Sequence, residues 1–157
     1  AFGTGTHSTT ALCLRWLDGM ACEGTSVLDM GCGSGVLAVA AARLGASRID
    51  GVDIDPQAVQ ATRDNAQRNA VTVQAWLPKD APTDSRYDIV IANILAAPLI
   101  TMAPALAARL RPGGHLVLAG LLESQAEDVI AAYAPYLPLR IGAVHDGWAR
   151  LQGHIDK

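Results

Sequence analysis

The sequence predicts an α/β domain: a mostly parallel β-sheet flanked by helices and finished by a C-terminal antiparallel hairpin. Three observations predict it. Residues 27–30 form a short apolar run that ends in the turn Gly31-Cys32-Gly33-Ser34-Gly35 and feeds straight into apolar residues 36–42, which reads as strand, turn, helix. Further apolar runs then alternate with helix-period segments, as in a sheet built from crossover units. The last two strand-like runs, residues 139–144 and 148–155, are joined by Asp146-Gly147, a favoured two-residue hairpin turn.

Taken in order, residues 11–17 read as a helix, with Leu12, Cys13, Trp16 and Leu17 at helical spacing and Ser8, Thr9 or Thr10 as its cap. The helix at 35–44 is apolar all round, which predicts deep burial, and Gly45 ends it. Residues 49–54 form the second strand. Asp55-Pro56 opens the next helix with a cap and a first-turn proline, turning Ala58, Val59, Thr62 and Ala66 inward and Gln57, Arg63, Asp64 and Arg68 to water. A third strand is expected over 71–76, a proline- and charge-rich loop over 77–86, and a buried fourth strand over 87–92. Residues 94–110 read as largely helical, with Pro104 kinking the helix or starting a second piece. Pro112-Gly113-Gly114 reads as a turn, 116–119 as the fifth strand and 123–133 as an amphipathic helix.

The 157 residues suit one domain with a full core. Half are apolar and 17% charged, which excludes a disordered chain. A net charge of −3 with scattered Lys and Arg argues against direct nucleic-acid binding. Three cysteines without paired ligand spacing predict neither a disulfide framework nor a metal site and fit a reducing, cytoplasmic setting. Residues 94–110 fall short of a membrane span and are broken by Pro98 and Pro104, so no membrane partner is expected. The opening Ala1-Phe2-Gly3-Thr4-Gly5-Thr6-His7-Ser8-Thr9-Thr10 has no initiator Met and reads as the middle of a loop, so an N-terminal part is expected to precede it.

The glycine turn also carries chemistry. Glycines tolerate positive φ and let a ligand approach the backbone, and the following helix aims free N–H groups at that spot. Asp53 ends the second strand 22 residues after Gly31, where a carboxylate can accept hydrogen bonds from ribose hydroxyls. A dinucleotide-binding turn needs a third glycine at position 36, which is Val36 here. Asp29, the turn and Asp53 together make a D-x-G-x-G-x-G…V-D-x-D pattern that resembles the Rossmann-like, class I S-adenosylmethionine-dependent methyltransferases.

The resemblance sharpens with Ala1–His7 and Ala92-Asn93-Ile94-Leu95 added. The whole chain to about Gly153 is then similar to the bacterial ribosomal protein L11 methyltransferase family. That resemblance implies a protein methyltransferase domain over residues 1–157, with 1–10 as its cut-open active-site loop. It implies S-adenosylmethionine as cofactor, and methylation of N-terminal and lysine amino groups of ribosomal protein L11. Thr10, Gly31, Asp53 and Asn93 match its cofactor-contacting positions, and Gly33 joins them by the backbone-approach argument. Ile94 and Leu95 stand where amine methyltransferases acting on adenine or glutamine carry prolines, and no aromatic follows, so an aliphatic amine is the better acceptor. The catalytic group is not assigned. Asn93 and the loop histidine His7 are the candidates, against an Asx turn and a loop-ordering role respectively. Cys32 reads as a small turn residue, and His115, His145 and His154 as ordinary strand or hairpin residues. A small-molecule methyltransferase, a nicotinamide-dependent oxidoreductase and a non-catalytic binding module are the alternative readings.

Overall fold

The computed structural model describes residues 6–157, with the backbone alone for Thr6 and His7. Seven strands form one mixed sheet in the order β3-β2-β1-β4-β5-β7-β6. They are β1 (Ser26–Met30), β2 (Arg48–Val52), β3 (Gln74–Trp76), β4 (Tyr87–Asn93), β5 (Leu110–Leu122), β6 (Arg140–His145) and β7 (Trp148–His154). The first five run parallel, while β7 pairs antiparallel with both β5 and β6. The expected α/β architecture with a terminal hairpin is what the chain adopts, and Asp146 and Gly147 both take positive φ at its tip (52° and 80°).

Alternating strand residues build two cores, one on each face. Val27, Ile49, Ile89, Ile91 and Val117 pack under α1 (Thr6–Asp18) and α2 (Val36–Arg43), with α3 (Pro56–Arg68) beside α2. Leu28, Val52, Val90, Leu116 and Leu118 pack under α4 (Ala96–Thr101), α5 (Ala103–Ala107) and α6 (Ala126–Tyr133). A parallel sheet needs both faces covered, which explains the near-continuous apolar runs.

Several elements differ from the sequence reading. α1 starts at Thr6, so Ser8, Thr9 and Thr10 lie within the helix instead of capping it from a loop; residues 1–5 of the expected loop lie outside the described residues. Ser8 Oγ donates to Asp146 Oδ2 (3.0 Å) and Arg150 Nη1 to the Leu12 carbonyl (2.8 Å), which docks α1 on the hairpin. α2 is buried along Leu37, Ala38, Val39 and Ala41 only, and Val36 is 45% exposed, because an outer-layer helix has one face on the sheet. β3 is half its expected length: Ala70 turns left-handed (φ 56°) and Val71 N–H closes the end of α3 on the Ala66 carbonyl. β2 stops at Val52, since the Asp53 side chain takes the Asp55 N–H and leads the chain off the sheet. Residues 94–110 form two short helices divided at Met102, with Pro104 in the first turn of the second. Gly113 and Gly114 form a bulge inside a longer β5, where the pairing jumps from Tyr87↔Leu110 to Ile89↔His115. The segment expected to be helical from Glu123 begins as a 3₁₀ turn (Glu123–Gln125) before α6.

Candidate functional site

All five expected cofactor positions lie in described residues. Four of them gather at the carboxyl ends of β1, β2 and β4, where a doubly wound sheet binds its ligand. Parallel pairing sets Met30 beside Val52 on one side and beside Ala92 on the other, so Gly31, Asp53 and Asn93 each follow a paired residue on adjacent strands. Gly31, Gly33 and Gly35 all have positive φ (77°, 54° and 86°). They are not equivalent. A Cβ on Gly31 would stand 2.4 Å from Ile94 Cγ2 and one on Gly35 would stand 2.9 Å from Thr62, whereas one on Gly33 would meet nothing within 4 Å among the described residues. Gly31 and Gly35 are therefore demanded by packing, and Gly33 alone faces open space.

Asp53 is half-buried, and each carboxylate oxygen accepts one backbone hydrogen bond: Oδ2 from Gly33 N (3.0 Å) and Oδ1 from Asp55 N (3.0 Å). A carboxylate has about four acceptor positions, so room remains for two ribose hydroxyls. Asn93 ends β4 with its Oδ1 buried and, among the described residues, without a hydrogen-bond partner. An orphaned buried acceptor costs on the order of 1–3 kcal/mol, which makes this oxygen a candidate contact for a ligand donor. Thr10 is half-buried on α1, and among the described residues no cleft residue belongs to that helix. The backbone of His7 lies in the first turn of α1, while its side chain lies outside the described residues.

Asp29 is fully buried beneath the turn. Its carboxylate accepts a hydrogen bond from the Ala38 N–H of α2, yet its Oδ2 has no partner. Burial, and secondarily the nearby Asp53 charge, raise its pKa to about 7 despite that bond. Burial likewise pushes the Cys32 and Cys13 thiols up to about 12. Such thiols are poor nucleophiles, in accord with Cys32 as a turn filler. His115 resumes the β4 pairing of β5 after the bulge, away from the carboxyl ends of the strands, and its pKa is lowered by burial and by His154.

A cleft of about 540 Å³ opens on the α4–α5 side of the strand ends. Gly31 and Asp53 form its rim, while Leu28, Met30, Ile94 and Met102 line it. Gly33, Asn93 and Thr10 are not among its described lining residues, so the expected site divides between this apolar cleft and the strand ends beside it. The outer wall is the 77–86 loop, held by Arg109, whose guanidinium donates to the Pro82 and Thr83 carbonyls. Sequence reasoning missed Ile94 and Arg109 as cleft residues. An isoleucine facing a glycine from the adjacent strand leaves no periodic signal.

Comparison with known proteins decides which family this geometry serves. The sequence model of the family described as ribosomal protein L11 methyltransferase (PrmA) matches residues 1–155. The chain belongs to the ribosomal protein L11 methyltransferase family. A protein of that name from Pectobacterium carotovorum is 55% identical over 155 residues, covering 98% of this chain and 52% of its own. One from Thiobacillus denitrificans is 57% identical over 153 residues, covering 98% and 51% respectively. The chain thus spans about half the length of the curated relatives it matches. The crystal structure of a ribosomal protein L11 methylase from Lactobacillus delbrueckii superposes with a TM-score of 0.88 at 29% identity, covering 98% of this chain and 81% of that one. The family match, the mixed seven-stranded sheet and the fold neighbour agree on a class I methyltransferase fold. They favour neither the oxidoreductase nor the small-molecule methyltransferase reading. Among the described residues no helix is long and apolar enough to cross a membrane.

Proposed function

We propose that this chain is the catalytic domain of an S-adenosylmethionine-dependent protein N-methyltransferase, cytoplasmic, that modifies the N-terminal and lysine amino groups of ribosomal protein L11. The observation that carries the reading is the family match over residues 1–155, and the site chemistry supports it. The open space over Gly33, the acceptor positions left on Asp53 and the unpartnered Asn93 Oδ1 fit a ligand with a ribose and a polar chain. The apolar cleft beyond Gly31 fits its base.

S-adenosylmethionine supplies an activated methyl group on its sulfonium. The protein's work is then placement more than covalent chemistry. Asp53 orients the ribose, and Gly33 admits the ligand to the backbone. The Asn93 amide stands at the end of the central strand, where its Oδ1 can accept a hydrogen bond from the incoming amine and line up the nitrogen lone pair. A lysine amine, with an ordinary pKa near 10.4, must first lose a proton. Ile54 and Leu95, exposed just past the ends of β2 and β4, are apolar surface that a docked substrate covers, and that covering favours the neutral amine by desolvation.

Incubation with methyl-labelled S-adenosylmethionine and purified ribosomal protein L11 tests the reading. Label is expected on L11 amino groups and is expected to be lost with Asn93→Ala. Cofactor binding without label on L11 would overturn the acceptor. Failure to bind the cofactor would overturn the methyltransferase reading itself.

A further inference from the structure

Both backbone polar groups of Gly33 are held by side chains, one in each of the two peptides that flank its Cα. Its N–H donates to Asp53 Oδ2 (3.0 Å), and its carbonyl accepts from Thr62 Oγ1 (3.0 Å) on α3. The same hydroxyl lies 3.2 Å from Cys32 Sγ, and one turn further along α3 Asn65 Nδ2 donates to the Ser34 carbonyl (2.6 Å). Thr62 is fully buried, and its Cα and Cγ2 occupy the space where a Cβ on Gly35 would sit (2.9 Å). The front of α3 closes the circuit. Asp55 caps the helix by accepting from Gln57 N (2.9 Å), and its own N–H donates to Asp53 Oδ1. Three consecutive turn residues, Cys32, Gly33 and Ser34, are thus held by two α3 side chains three residues apart, which is the spacing that puts both on one helix face.

We propose that α3 is a splint for the ligand-binding turn, with Thr62 and Asn65 as positioning residues that hold the Gly33 and Ser34 peptides in their binding orientation. The inference rests on the reading of this turn as part of the S-adenosylmethionine site. The physical ground is preorganisation. Gly33 has positive φ and no side chain, and unlike Gly31 and Gly35 it has no described side chain packed where a Cβ would sit, so its backbone has much freedom to lose. A hydroxyl and an amide that hold its carbonyl side before the ligand arrives remove that cost from binding. Both groups act through the backbone and touch no ligand atom. Their loss therefore shows in affinity and in turn dynamics, and global unfolding need not change.

Three substitutions separate this from a purely structural role. Thr62→Val removes the hydroxyl and keeps the bulk against Gly35, Thr62→Ser restores the hydroxyl, and Asn65→Ala deletes the second contact on an accessible part of the helix. S-adenosylhomocysteine binding is measured by calorimetry on the whole 157-residue chain, and amide exchange of Gly33 and Gly35 is followed by NMR without ligand. Thr62→Val and Asn65→Ala are each expected to weaken binding roughly 3- to 10-fold, the loss of one hydrogen bond. Turn exchange should speed up while protection of the β4 amides stays unchanged, and Thr62→Ser should bind within about twofold of wild type. Unchanged affinity and unchanged turn exchange in both hydroxyl- and amide-deleted variants would overturn the splint with the cofactor site intact. Equal losses for Thr62→Val and Thr62→Ser would also overturn it, by assigning the effect to packing. Wild-type protein that binds no S-adenosylhomocysteine would overturn both the site reading and the inference built on it. Faster turn exchange would then remain as a local stability effect only.

Discussion

Replacing Asp29 with Asn should remove the pH dependence that this buried carboxyl imposes on the domain. Asp29 is 1% exposed, and its Oδ2 has no partner. Burial is the main reason that its pKa is pushed up from 3.8 to about 7. Because the folded value is the higher one, the native state holds this proton more tightly than the unfolded chain. Stability from this group is therefore complete below about pH 4 and lost as pH rises to about 7. At about 1.4 kcal/mol per pH unit, the full loss is about 4 kcal/mol, of which about 3 kcal/mol falls between pH 4.5 and 8. Asp29→Asn keeps an oxygen for the Ala38 N–H and cannot ionise. Urea denaturation followed by circular dichroism at several pH values, with both proteins compared at each, cancels the other carboxylates. The variant should gain on wild type by about 3 kcal/mol from pH 4.5 to 8. A gap that stays constant across that range would refute the reasoning, because it would mean that Asp29 is ionised and solvated in the fold.

Asp53→Ala should weaken S-adenosylmethionine binding by roughly 1.5–3 kcal/mol, the scale of a charged hydrogen bond, as read by calorimetry. It should also lower the melting temperature, since Gly33 and Asp55 lose their acceptor. Gly31→Ala should destabilise by about 2–4 kcal/mol in thermal unfolding, from its positive φ and the overlap with Ile94, with Ile94→Ala recovering part of the loss. Gly33→Val should lower the melting temperature through its positive φ, yet leave the protein folded because no described residue lies within 4 Å of its Cβ, and should abolish cofactor binding in the same calorimetric assay. Tyr87→Phe removes the 2.6 Å hydrogen bond to buried Asp50 and should cost about 1.5–3 kcal/mol in urea titrations.

How much was legible follows from how local each signal is. The turn at 31–35, the Asp55-Pro56 helix start and the Asp146-Gly147 hairpin are specified within a few residues. Glycine at positive φ, a cap and a fixed proline φ impose their geometry wherever the chain places them, so these features held. Element ends were less legible because distant partners decide them. β5 runs six residues further back than its apolar run, on the strength of pairing with Tyr87, and α1 begins five residues early, where Ser8 meets Asp146 on the hairpin.

By itself, the sequence determined the chemistry at the strand ends: a glycine turn that a ligand can approach, an acid one strand away and an Asn closing the fourth strand. Residue type and strand-length spacing are enough for that, since parallel pairing brings successive strand ends to one edge. Only the tertiary structure decided that Gly31 and Gly35 serve packing while Gly33 faces open space. It likewise decided that the apolar cleft and Asn93 lie on separate parts of the site, that Asp29 is held without a partner for one oxygen, and that α3 reaches back to grip the turn. Each of these depends on which atoms of remote segments occupy the same few ångströms, and residue spacing along one chain carries no record of that.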